Sequence, residues 1–62
     1  MYLATAALWR DGRMRFCDIE IRQDRPPTIV KWDSEVADGD YELRRGDKVY
    51  HVTLKRGQWT TS

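Results

Sequence analysis

Apolar residues in this chain recur at every second position, in short runs separated by turn residues. Tyr2, Ala4, Ala6 and Leu8 alternate with Leu3, Thr5, Ala7 and Trp9. Cys17, Ile19 and Ile21 alternate with Phe16, Asp18 and Glu20, and Tyr50, Val52 and Leu54 with Val49, His51 and Thr53. A period of two marks a strand with one buried face. Nothing long enough for an independently stable helix is present.

Three turn signals punctuate the runs, and each fixes a register. Asp11-Gly12 tolerates the two positive φ angles of a type I′ hairpin turn, Gly46-Asp47 offers the first-position glycine of a type II′ turn, and Arg56-Gly57 is a weaker third. Around Asp11-Gly12, Arg10 faces Arg13, Trp9 faces Met14, Leu8 faces Arg15 and Ala7 faces Phe16. Farther out, Ala6 faces Cys17, Ala4 faces Ile19 and Tyr2 faces Ile21. Around Gly46-Asp47, Leu43 meets Tyr50, Glu42 meets His51 and Tyr41 meets Val52, while the third turn sets Trp59 opposite Leu54. Directly opposed residues share a face, so all three reversals select one apolar interior. A slip of one residue would invert it.

Between the hairpins the signals weaken. Arg25-Pro26-Pro27 reads as an extended connection, because consecutive prolines remove ladder donors. Thr28–Trp32 reads as a short strand, and Asp33–Asp38 as one helical turn with Asp33 or Ser34 as its N-cap. The expectation is a single all-β domain over residues 1–62. Five to six short antiparallel strands would form a small meander that curls into an SH3-like barrel. An open antiparallel sheet that dimerises is the alternative.

Composition narrows the chemistry. A chain of 62 residues hides only ~60% of the surface its unfolded form exposes, so it needs dense packing or some other support. Cys17 is the only cysteine, which excludes an intrachain disulfide. One Cys and one His do not make a structural zinc site, and no cofactor is implied. Eleven basic and ten acidic side chains leave a net charge of +1, less basic than a general nucleic-acid or membrane-surface binder. No apolar run approaches the ~18–20 residues of a membrane span, so no membrane partner is expected. The opening MYLATAALWR lacks the basic start of a signal peptide and runs into a hairpin. Cytoplasmic residence is the expectation, and a lone thiol agrees with it.

Catalysis finds no support in the pattern. Cys17 alternates with Ile19 and Ile21 and so points inward, where it acts as a small hydrophobe; His51 points outward, so the two make no dyad. Ser34 and Ser62 have no histidine near them in the predicted pairing, and each glycine stands alone at a turn rather than in a phosphate-cradling loop. The chain is therefore read as a non-enzyme. His51 opposite Glu42 suggests a carboxylate that favours the imidazolium, against a solvated pair contributing little.

Two surfaces remain for a partner. On the outer face of the first hairpin Trp9, Met14 and Phe16 cluster, with Arg13 and Arg15 placed alongside. That composition matches protein interface hot spots, and also a platform on which bases stack while Arg10, Arg13 and Arg15 contact phosphate. A second small core packed on Trp32 or the 22–38 connection is the structural alternative. The other surface is acidic: Asp33, Glu35, Asp38, Asp40 and Glu42 fall in a stretch with no basic residue, and Asp38, Asp40 and Glu42 alternate. An extended chain would set those three ~7 Å apart on one side, as a loose imitation of a nucleic-acid backbone or simply as a solvated loop. The functional expectation is a non-catalytic protein-binding module, a stand-alone adaptor or inhibitor of the kind phages and mobile elements direct at host nucleic-acid-handling complexes. The alternative is a small nucleic-acid-binding barrel, and a homodimer through the Trp9 face is a further option.

Overall fold

The expected reversals form, together with one that the sequence pattern conceals. The computed structural model describes residues 2–62. Its strands are β1 (Tyr2–Arg10), β2 (Arg13–Arg22), β3 (Arg25–Lys31), β4 (Gly39–Arg45), β5 (Lys48–Lys55) and β6 (Gln58–Thr61). All neighbours pair antiparallel in one sheet of order β3-β2-β1-β4-β5-β6. The sheet curls until β3 approaches β6, which makes a nearly closed barrel. Among the described residues there is no helix, and so none long and apolar enough to cross a membrane.

The backbone angles explain the turns. Asp11 and Gly12 have φ of 54° and 75°, the two positive values of a type I′ turn. Gly46, at φ 61°, begins the β4–β5 turn as a type II′ turn requires. Arg56 and Gly57 repeat the two-positive pattern, with a side chain bearing the left-handed conformation at residue 56. The registers follow as expected: Trp9 faces Met14, Tyr2 faces Ile21, Leu43 faces Tyr50 and Leu54 faces Trp59.

Two connections differ from the expectation. The two prolines lie inside β3 rather than in a linker, and β2 reverses into β3 at Gln23-Asp24, where Arg22 faces Arg25. Neither turn residue has a positive φ, so the usual sequence marker is missing. The prolines are tolerated because β3 is an edge strand and its pairing with β2 is irregular between Glu20 and Arg22, so the N–H donors they lack leave few ladder bonds unmade. The segment 33–38 is likewise not a helical turn. The Val36 N–H donates to the Asp33 carbonyl at 3.0 Å and the Glu35 N–H to the Asp33 carboxylate at 2.9 Å, a β-turn braced by its own aspartate.

Each half of the chain is a three-stranded meander, and the join between them is of Greek-key form: β4 returns past β2 to lie beside β1. Ala7, Leu8 and Trp9 of β1 face Arg44, Leu43 and Glu42 of β4. The join completes the core of Ala6, Leu8, Cys17, Ile19, Ile29, Leu43 and Val52. Leu54 is also buried. Trp32, Tyr41 and Trp59 pack against this core, with the Trp59 ring edge-to-face on Trp32 at 5.8 Å and on Tyr41 at 5.6 Å. These rings bridge the two halves.

Candidate partner-binding face and the two barrel ends

Strand alternation assigns every side chain to the inside or the outside of the barrel wall. On the outside, Met14 and Trp9 face each other across β2 and β1, and Phe16 and Ala7 do the same one step along. Phe16 is 66% exposed and Met14 is 41% exposed. Trp9 is half-buried, not free as the sequence pattern implies. The Arg44 guanidinium lies 4.7 Å above its ring, an arrangement that attracts the cation to the ring's electron-rich face. Arg44 is itself steered by Glu42, whose carboxylate oxygen accepts from two of its nitrogens at 2.6 and 3.1 Å. Trp32 packs against the core from another part of the chain and does not cover Phe16, so the second small core does not form over it.

Arg13 and Arg15 are not beside the aromatic group. They share the inward face with Leu8 and Cys17, because Arg15 pairs with Leu8 and Arg13 with Arg10. Near the end of a barrel the inward face leaves the core and reaches the rim, which is where long charged side chains settle. Arg10, Arg13 and Arg15 there surround one mouth of the barrel, an open depression of about 420 Å³ shared with Glu35, Val36 and Tyr41. A nucleic-acid platform built on Trp9 and Phe16 would therefore lack Arg13 and Arg15 beside it, while Arg10 borders Trp9 in a neighbouring depression.

That mouth is crossed by the β3–β4 loop. Arg15 donates to the Asp33 carboxylate at 3.0 Å and lies 3.6 Å from Glu35. Arg10 donates to the Asp38 carbonyl at 3.2 Å and to the Tyr41 hydroxyl at 3.1 Å; that hydroxyl donates in turn to the Ala37 carbonyl at 2.6 Å. The Tyr41 contact also holds the Arg10 pKa above its ordinary value. Gly39 makes the crossing fit. Its φ is 142°, and an added Cβ would stand 2.6 Å from an Arg10 guanidinium nitrogen.

The acidic stretch is thus not a free row. Asp33 and Glu35 serve Arg15, Asp40 accepts from the Thr53 hydroxyl at 2.7 Å, and Glu42 accepts from Arg44. The Asp38 carboxylate accepts from the Arg56 N–H at 3.4 Å. His51 and Glu42 are paired in register, yet the carboxylate turns to Arg44 instead of the imidazole. Cys17 is buried while His51 is exposed. Burial pushes the Cys17 thiol up to about 11, with a smaller contribution from Asp18. No group of three or more His, Cys, Asp or Glu side chains suited to a metal ion occurs among the described residues.

The opposite mouth was not singled out by the sequence pattern. It is a broader depression of about 980 Å³ walled by Tyr2, Tyr50, Arg22, Arg25, Arg45 and Lys48, with the β2–β3 turn residues Gln23 and Asp24 on its border. Its residues come from five strands, and only the direction of alternation at strand ends would have brought them together. Compared with known proteins, the chain matches no protein-family model, no curated protein and no solved structure.

Proposed function

We propose that this domain is a non-catalytic protein-binding module that engages its partner through the outer wall of β1 and β2. The observation that carries the reading is the exposure of Phe16 and Met14 beside a Trp9 ring already held under Arg44. A chain this short has few large apolar side chains to bury, and Phe16 and Met14 are two of the six that stand exposed among the described residues. Aromatic residues, Met and Arg are the types enriched in protein interfaces, and Trp and Arg dominate their energetic centres. Holding Trp9 in place before contact reduces the ordering cost of association. Glu42, Arg44 and His51 supply a polar rim of mixed sign, which suits an apolar patch on another protein more than a uniformly charged polymer. A domain of this kind acts by occupying a surface, as an adaptor or an inhibitor does.

The test compares the unaltered protein with a Phe16→Ser, Met14→Ser variant as immobilised bait in lysate of the native host. Both positions are exposed, so the variant should melt within a few degrees of the parent. A protein retained by the parent and lost by the variant supports the reading. Identical retention by both would overturn the assignment of this face. A second copy of the chain as partner would appear in sedimentation as a concentration-dependent dimer that the variant cannot form.

A further inference from the structure

The open mouth of the barrel has an electrostatic arrangement that the fold does not need. Arg45 and Lys48 face each other directly across the β4–β5 hairpin, and like charges in that position repel. Neither forms an ion pair among the described residues. Asp47, in the turn between them, is in no ion pair with either. Arg22 and Arg25 face each other in the same way across the β2–β3 turn. Those two are partly compensated, Arg22 by Glu20 at 2.7 Å and Arg25 by Asp24 at 3.4 Å. Two opposed cation pairs on different hairpins thus border one depression.

The apolar part of the wall is aromatic. Tyr50 packs against the core and is fixed, while Tyr2 is 55% exposed beside the same depression. We infer that this mouth binds a short segment of single-stranded nucleic acid, with Arg45 and Lys48 on its phosphates and a base laid on Tyr2 or Tyr50. Free cations placed beside accessible rings are the two components of single-strand recognition. A chain of net charge +1 can do this because the acids of the 33–42 stretch serve the other mouth and the outer face of β4, while Asp24, the one acid among the described residues that line this depression, is taken up by Arg25. An anion between Arg45 and Lys48 would remove a repulsion that the folded chain otherwise carries. The site is separate from the Trp9–Phe16 wall and stands whether or not that wall binds a protein.

The test is fluorescence anisotropy with a labelled oligothymidylate of about fifteen nucleotides. Two phosphates neutralised on a single strand give a salt slope near −1.4, so raising salt about four-fold should weaken binding about seven-fold. Arg45→Ala with Lys48→Ala should weaken it about ten-fold and flatten that slope, and Tyr2→Ala should weaken it about ten-fold with the slope kept. The double variant should melt at or above the parent temperature, since it loses a like-charge pair. Should it fail to fold, Lys48→Gln alone and the salt slope of the unaltered protein decide. Phe16→Ser should leave the affinity unchanged, which separates this site from the protein-binding wall. Absence of binding by the parent, equal binding by the double variant, or equal competition by polyglutamate would overturn the inference. So would saturation by inorganic phosphate alone, which would show a simple anion site, and so would a duplex bound as tightly as the single strand.

Discussion

At one end of the barrel Arg10 and Arg15 reach across to Asp33, Glu35, Tyr41 and the Asp38 carbonyl, and a loop lies over the opening. At the other end Arg45 and Lys48 face one another, neither in an ion pair among the described residues, and only the short β2–β3 turn borders the opening. Both rims are built the same way, from inward-pointing cations that have run past the last layer of core residues. The difference lies in how the strands are joined. The β3–β4 connection must pass one mouth to carry the chain from the edge of one meander to the middle of the sheet, and it brings the acids with it. The tight β2–β3 and β4–β5 turns reach no farther than their own strands.

The strongest way to break the contrast is through glycine. Gly39→Val should cost about 2–4 kcal/mol in a denaturant titration, because it puts a β-branched residue at φ 142° and pushes the Arg10 guanidinium off its bonds to Asp38 and Tyr41. Gly46→Ala at the open end has nothing within 4 Å of the new Cβ and should cost about 1 kcal/mol from backbone conformation alone. Equal losses would show that the loop is not held by the Arg10 contact.

The next largest effect belongs to the middle of the barrel, which both ends share. Cys17 ionises in the unfolded chain near its ordinary value of 9.0 but in the folded one only at about 11. The folded state therefore retains a proton that the unfolded state loses. Stability is intact below pH 9 and declines between about pH 9 and 11, by up to about 3 kcal/mol. The difference in stability between the parent and Cys17→Val across that range isolates this thiol from the tyrosines. A constant difference would contradict the burial argument.

Smaller effects sharpen the comparison between the two rims. Tyr41→Phe removes a hydroxyl that accepts from Arg10 and donates to Ala37, and should cost about 1–2 kcal/mol. Tyr50→Phe, for whose hydroxyl no such bonds are present among the described residues, should stay within about 0.5 kcal/mol. Smallest of all, Arg15→Ala should lower global stability by less than about 1 kcal/mol, since its ion pairs are solvent-exposed. Hydrogen exchange at the Glu35 and Val36 amides should nonetheless accelerate, while that of β5 does not.

The fold was legible in the sequence wherever a turn announced itself. Asp11-Gly12, Gly46-Asp47 and Arg56-Gly57 each contain a glycine that takes up a positive φ, and once the turn is fixed the register follows by counting. Gln23-Asp24 has no such residue, and Pro26-Pro27 imitates a linker, so β3 is misread at its start. The β1–β4 pairing is not legible at all, because no local turn sets the register of strands about thirty residues apart in sequence. For the candidate site, alternation correctly sends Trp9, Met14 and Phe16 outside. The same rule sends Arg13 and Arg15 inside, to a rim that a flat strand diagram does not contain. The cover over Trp9 comes from Arg44, on a strand that is adjacent only through that unannounced pairing.

The Greek-key join also divides the labour of folding. Residues 2–37 and 38–62 each supply three neighbouring strands of the one sheet, and each half has an apolar side that the other must cover. Made as two separate peptides they should remain unstructured apart, and regain sheet signal in circular dichroism when mixed in equal amounts. Cutting the chain between Ala37 and Asp38 would make the β1–β4 pairing depend on concentration, a dependence that the unbroken β3–β4 loop removes.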